Sequence, residues 1–213
     1  MATVLNDTPI KFLRRLAERN DMFAYVLPGP EPNQSVGYFK GLNHEPADLE
    51  PLILLGKDRN ISGFNVDRDH EGPQSVTASS LSFGDKTVVT RTSTFRDLDL
   101  LGPAPATNNS GTRRLSPGAN GQNDPQARVD AFANRSRYAF AATGSVLPHC
   151  YGSLLVPFNV VQVKAGETDI AGNYLIRKVV HQIDRHQHKQ DFTVMRDAAS
   201  APVGESALLP DIF

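Results

Sequence analysis

The sequence predicts a mainly β protein of the α+β class, built from small antiparallel β-barrel domains with two short helices. Short runs rich in Val, Thr, Ser and Ile recur at close spacing between turn residues, as in a small sheet or barrel. Only two stretches carry apolar residues three and four apart, the spacing of a helix face. Sixteen glycines and fifteen prolines in 213 residues call for many turns or a long irregular segment. At roughly 150 residues per domain the chain holds one or two domains, and it is long enough to bury a core without covalent staples.

The first element is a helix. Thr8 is placed to cap it, Pro9 suits its first position, where a missing N–H costs nothing, and Phe12, Leu13 and Leu16 form the apolar stripe. Arg19 complements the negative end, and Asn20 is the expected left-handed stop. Met22 to Leu27 reads as a buried strand closed by Pro28-Gly29-Pro30, with Val36 to Phe39 as its partner. Further strands are expected at Leu52 to Leu55, Ile61 to Asp67, Val76 to Phe83 and Thr87 to Phe95, the last two joined by a Gly84-Asp85 turn.

Residues 102–124 offer almost nothing to bury and read as a long loop, with Arg113-Arg114 as a solubilising pair or a docking contact. A second helix follows, capped by Asp124, opened by Pro125 and faced by Val129, Phe132 and Ala133. Strands are then expected at Arg137 to Ser145, Leu154 to Val163, Asn173 to Ile183 and Gln190 to Arg196. Gly166 and Gly172 bracket one turn, and the His186-Gln187-His188 region closes the final hairpin. The expected organisation is 1–101 as a helix with a partial barrel, 102–123 as a flexible loop, 124–198 as a C-terminal barrel with its leading helix, and 199–213 as an extended tail.

Charge and composition exclude several functions. Twenty-two Lys and Arg against twenty-three Asp and Glu give a net charge of −1, so no surface built mainly to hold nucleic-acid phosphates is expected. No run approaches the ~20 apolar residues that cross a bilayer, and Met1 to Pro9 lacks the basic-then-apolar plan of a secretory signal. Cys150 is the single cysteine, so neither an intrachain disulfide nor a thiolate zinc cluster can form. Asn-x-Ser/Thr triplets at Asn6, Asn33, Asn60, Asn108 and Asn134 are read as chance.

The candidates for chemistry are few. His181, His186 and His188 lie close in sequence, and neutral imidazoles bind zinc or nickel, but no aimed carboxylate joins them and a polar hairpin tip accounts for them. Glu45, Asp48 and Glu50 supply carboxylates for hydrolysis, in a proline-bounded loop without a visible pocket. Cys150 follows His149, although a thiol beside a histidine in sequence usually points away from it. The Gly-x-Ser-x-Gly elbow and the glycine-rich phosphate loops are absent. The expectation is no catalytic, cofactor-binding or metal site.

Two stretches resemble a known family. IKFLRRLAERNDMFAYV, Ile10 to Val26, is similar to the Phe-Leu-x-x-Leu-Ala-Glu segment of phage late-control proteins, the hubs of tail baseplates, with related hub portions in type VI spike proteins and contractile injection systems. Asp124 to Val146 and Gly172 to Ala198 resemble that family's C-terminal barrel: an Ala-rich helix, a strand, then Gly172, Tyr174, Ile176, Val179 or Val180, His181, Phe192 and Arg196 at the motif positions.

The resemblance implies a structural virion component made in the host cytoplasm, a homotrimer that joins the tail tube protein to the central spike protein. His181 and Arg196 then serve packing or subunit contacts. In the family the first segment normally follows a complete barrel, whereas here it begins ten residues from Met1; a second hub protein supplying that barrel is the expectation. The alternatives are a β-rich adaptor outside any tail and, behind it, a cell-wall hydrolase using Glu45 or Glu50.

Overall fold

The computed structural model describes residues 8–69, 75–82, 86–94, 100–105, 111–115 and 125–199. The Gly84-Asp85 turn, the Asp124 cap and the tail beyond residue 199 lie outside these. The chain divides into two compact units that interleave in sequence: unit 1 takes Met1–Asn43, His70–Leu98 and Asn108–Arg137, and unit 2 takes His44–Asp69, Asp99–Thr107 and Tyr138–Phe213. The consecutive division expected from composition follows the chain order, whereas these units are gathered by strand pairing between distant segments.

Unit 1 opens with helix α1, Pro9–Arg19. Thr8 is extended and its carbonyl accepts the Phe12 N–H at 3.1 Å, but its side chain makes no capping bond. At the other end the left-handed residue is Asp21 at φ 54°, not Asn20, whose φ is −114°. Placing the reversal one residue later lets the Met22 N–H reach the Ala17 carbonyl at 2.8 Å, the six-to-one bond of a Schellman close. Asn20 is used differently, its side-chain amide donating to the Leu16 carbonyl at 2.8 Å.

Strands β1 (Phe23–Pro28) and β2 (Ser35–Lys40) form an antiparallel hairpin in register from Phe23 opposite Lys40 to Pro28 opposite Ser35. Unit 1 also holds β5 (Ser75–Ser82), β6 (Thr87–Thr94) and β8 (Thr112–Leu115), in the order β6-β5-β8, and helix α2, Pro125–Ser136. Strand alternation divides β5 cleanly. Val76 and Ala78 are buried against Val129 and Ala133 of α2, while Ser75, Thr77 and Ser79 pair their hydroxyls with Thr112, Thr92 and Thr90 at 2.7–3.0 Å.

Unit 2 is a curled six-stranded sheet of order β3-β10-β11-β12-β9-β4. Its strands are β3 (Leu52–Ile53), β4 (Ile61–Arg68), β9 (Phe140–Val146), β10 (Val160–Lys164), β11 (Gly172–Ile183) and β12 (His188–Arg196). All neighbours are antiparallel except β3 and β10. Gln190, Phe192, Val194 and Arg196 alternate inward along β12, and Leu52, Ile61, Phe140, Tyr174 and Ile176 close the core with them.

Two register shifts interrupt this sheet, one in β11 between Ile176 and Lys178 and one in β4. In β4 the register shifts between Ser62 and Phe64, at Gly63 with φ 69°. The extra residue lets Ile61 and Phe64, three apart, both pack on the core, where simple alternation would send one outward. Gly144 of β9 faces this point, and a side chain there would collide with the Gly63 carbonyl and the Phe192 ring, both 2.7 Å from its Cβ.

The segment read as a loop carries secondary structure. Ala104–Pro105 (β7) pairs with Ala198–Ala199 (β13) in unit 2, and Thr112–Leu115 pairs parallel to β5 in unit 1. Composition hid this because backbone groups make the ladder, and Leu115, packed against the unit 1 core, is the one large apolar residue required.

Candidate assembly surfaces

Of the residues singled out for the family motif, Gly172, Tyr174 and Arg196 gather at the start of β11, whereas Val180 and His181 lie exposed further along the strand. Arg196 is 2% exposed; its guanidinium donates to the Ala171 carbonyl at 2.6 Å and the Asp169 carbonyl at 3.3 Å, and lies 5.6 Å over the Tyr174 ring. The Tyr174 hydroxyl donates to the Ile170 carbonyl at 2.8 Å, and burial, first among its causes, raises the phenol pKa. Gly172 is required here on two counts: its φ is 141°, and a Cβ would sit 2.6 Å from the guanidinium. The motif is a clamp on the turn that feeds β11. Phe192 stacks in the same core, with Phe64 between its ring and that of Tyr174.

The three histidines separate into a pair and a bystander. His181 and His188 sit diagonally across the β11–β12 hairpin, His181 Nδ1 at 3.0 Å from His188 Nε2. Burial, then the neighbouring His188, lowers the His181 pKa. His186 lies in the turn, where its backbone N–H donates to Asp184 Oδ1 at 2.7 Å. That bond and a second from the Gln187 N–H hold the Asp184 carboxyl below its ordinary value. Among the described residues no three His, Cys, Asp or Glu side chains converge as a closed metal site would require.

Of the acidic candidates Glu50 is a tie: its Oε2 accepts the Gly152 N–H at 2.9 Å and its carbonyl accepts the Tyr151 hydroxyl at 2.8 Å. Burial, with the Glu50 charge second, pushes the Tyr151 pKa up to about 12. Cys150 is exposed, beside His149 at φ 64°.

A shallow groove of about 480 Å³ on the outer face of the sheet is lined by Thr143, Ser145, Lys178, Lys189, Asp191 and Thr193 among others. Its carboxylate is well partnered: Asp191 accepts from Ser145, from Gln182 at 2.9 Å and from Lys189 at 3.0 Å. Those donors, Ser145 foremost, hold its pKa low, which makes it a weak base at neutral pH.

What remains is surface. On unit 1 the apolar stripe expected to be buried is half open to solvent, Leu13 and Leu16 on α1 and Val26, Val36, Tyr38 and Phe39 on the hairpin being exposed. At the tip of β11, Ile183 is 76% exposed. Sequence reasoning missed Asn60, which is 5% exposed and bridges the two sheet edges: its Oδ1 accepts the Ile53 N–H at 2.7 Å, its amide donates to the Pro51 carbonyl at 2.9 Å, and its backbone N–H bonds the Ile53 carbonyl. A polar residue immediately before a strand that starts with a buried Ile61 was the available signal.

No family model and no curated protein matches this chain. Solved structures do. It aligns over 92% of its length with a tail protein from Neisseria meningitidis MC58 at a TM-score of 0.62 and 14% identity, and with the 43 kDa tail protein of prophage MuSo2 from Shewanella oneidensis at 0.55 and 14%. The fold is a phage tail-protein fold. The chain spans 57% of the first protein and 55% of the second. Among the described residues no helix is long and apolar enough to cross a membrane.

Proposed function

We propose that the chain is a structural component of a phage-type tail, a baseplate hub element of a contractile tail or injection system that joins the tube protein to the central spike protein as a homotrimer. The observation that carries this reading is that a tail-protein fold extends over 92% of the chain, across both interleaved units, and not over one barrel alone. The motif residues Gly172, Tyr174, Phe192 and Arg196 support it by acting as packing elements, and His181 and His188 by forming a hairpin tip. The proposal includes a further barrel matching the part of those tail proteins that this chain does not cover, whether on a second hub protein or on the same polypeptide. No catalytic, cofactor or metal role enters it, and its place is the virion, after synthesis in the host cytoplasm.

Mass spectrometry of sedimented particles is the test. At about three copies per particle, as closed threefold symmetry requires, the chain travels with sheath and tube proteins. A chain that stays in the soluble fraction while sheath and tube sediment overturns the hub reading and favours the adaptor.

A further inference from the structure

Strand pairing brings two of the chain's six histidines together. His181 stands opposite Gln190 and His188 opposite Ile183, so the two imidazoles are diagonal neighbours on one face of the β11–β12 hairpin. His181 Nδ1 lies 3.0 Å from His188 Nε2, with ring centroids 5.2 Å apart. Two nitrogens held at about 2.0–2.1 Å by one ion stand about 2.9 Å apart at a right angle and about 3.3 Å apart at the tetrahedral angle. The observed spacing falls between these limits.

The surroundings of His181 orient its ring. The buried Gln190 side chain accepts the Leu155 N–H at 2.9 Å and donates to the Ser153 carbonyl at 3.1 Å, which pins residues 153–155 beside β12. Burial and the neighbouring His188 lower the His181 pKa, while a hydrogen bond to the Leu155 backbone opposes them. A bond that favours the charged ring has the ring N–H donating, here to the Leu155 carbonyl. With Nδ1 turned to His188, that proton sits on Nε2 and leaves a lone pair on Nδ1. A ligating histidine is commonly fixed in this way, by giving its other N–H to a backbone carbonyl. The hydrogen shared by the pair then belongs to His188 Nε2. An ion takes its place once the exposed His188 ring carries its proton on Nδ1 instead.

Nearby carboxylates do not join the pair. Asp184 accepts from the His186 and Gln187 N–H groups of its own turn, and Asp191 lies on the other face of the hairpin, paired with Lys189 at 3.0 Å. A donor set of two imidazoles without an acid suits zinc, nickel or copper and not magnesium or calcium. We propose that His181 and His188 form an open, two-nitrogen chelate for a divalent late transition-metal ion, with water in the remaining positions. The ion ties β11 to β12 where both strands run exposed past the core, just before Ile183. This goes beyond the hub reading, which requires no ion.

Calorimetric titration of the untagged full chain with nickel chloride or zinc chloride tests it. The expected result is one ion per chain, bound at least about tenfold more weakly by His181→Asn and by His188→Asn, and bound as in the wild type by His186→Asn. Nickel should raise the melting temperature of the wild type and leave that of His181→Asn unmoved; the exposure of both rings keeps the variants folded, which circular dichroism checks. A wild type that binds neither ion at millimolar concentration overturns the inference. So does loss in His186→Asn with binding intact in His181→Asn, which assigns the ion to the turn, and so does one ion shared between two or three chains.

Discussion

Among the described residues, unit 2 gathers thirteen buried side chains into one apolar cluster, including Leu52, Ile61, Phe140, Tyr174 and Phe192, whereas the corresponding cluster of unit 1 is Val76, Ala78, Val129 and Ala133. Unit 2 adds buried polar clamps, Arg196 over Tyr174 and Asn60 between the sheet edges. Unit 1 carries exposed hydroxyl pairs along β5 and leaves Leu13, Leu16, Val26 and Phe39 exposed. A two-stranded hairpin such as β1–β2 is marginal by itself in water, and among the described residues the apolar cluster of unit 1 is the smaller of the two.

That contrast can be broken at its strong end first. Phe192→Ala removes a ring packed under Gly144 and beside Phe64, and a loss of about 3–5 kcal/mol is expected from urea unfolding. Asn60→Ala strands the Ile53 N–H and the Pro51 carbonyl; about 2–3 kcal/mol is expected, with hydrogen exchange rising first in β3 and the start of β4. Val129→Ala, the matching cut in unit 1, takes a smaller side chain from a smaller core, and about 2 kcal/mol is expected. Equal losses for Val129→Ala and Phe192→Ala would erase the distinction between the units.

Smaller effects sharpen it. The folded-state pKa of His181 lies below the ordinary 6.5, so the unfolded chain takes the proton first as pH falls. The stability linked to this residue is complete above pH ~6.5 and is lost as pH drops through the folded value. Because the pair is exposed, the expected change in melting temperature is slight; it should shrink without vanishing in His188→Gln, since burial is the larger cause of the shift and the neighbouring imidazole the second. Smallest of all, Thr77→Val deletes one hydroxyl pair on the open face of β5, with an expected cost under about 1 kcal/mol. A larger loss in circular-dichroism melts would mean that this face is covered in the folded chain.

Most elements were legible because their causes are local. Pro9 set the start of α1, the Val and Thr runs marked β5 and β6, and the alternation along β12 separated Phe192 and Val194 from their neighbours. The Asp21 reversal was misplaced by one residue because Asn and Asp both tolerate the left-handed region, and only the Met22 bond to Ala17 discriminates. Strand β8 escaped because three polar residues and a single Leu115 carry no period. Glu50 drew suspicion as a catalyst because a carboxylate in a loop looks the same in sequence whether it aims at a substrate or at the Gly152 N–H.

The sequence by itself determined the β-rich class and the two helices, since these follow from period and turn residues. Tertiary structure alone decided which distant segments share a unit, that β3 joins β10 in parallel, and that Gly63 turns Phe64 inward. The physical reason is range. Backbone preference and side-chain period act over a few residues, whereas strand pairing and the burial of Arg196 depend on contacts between segments far apart in the chain.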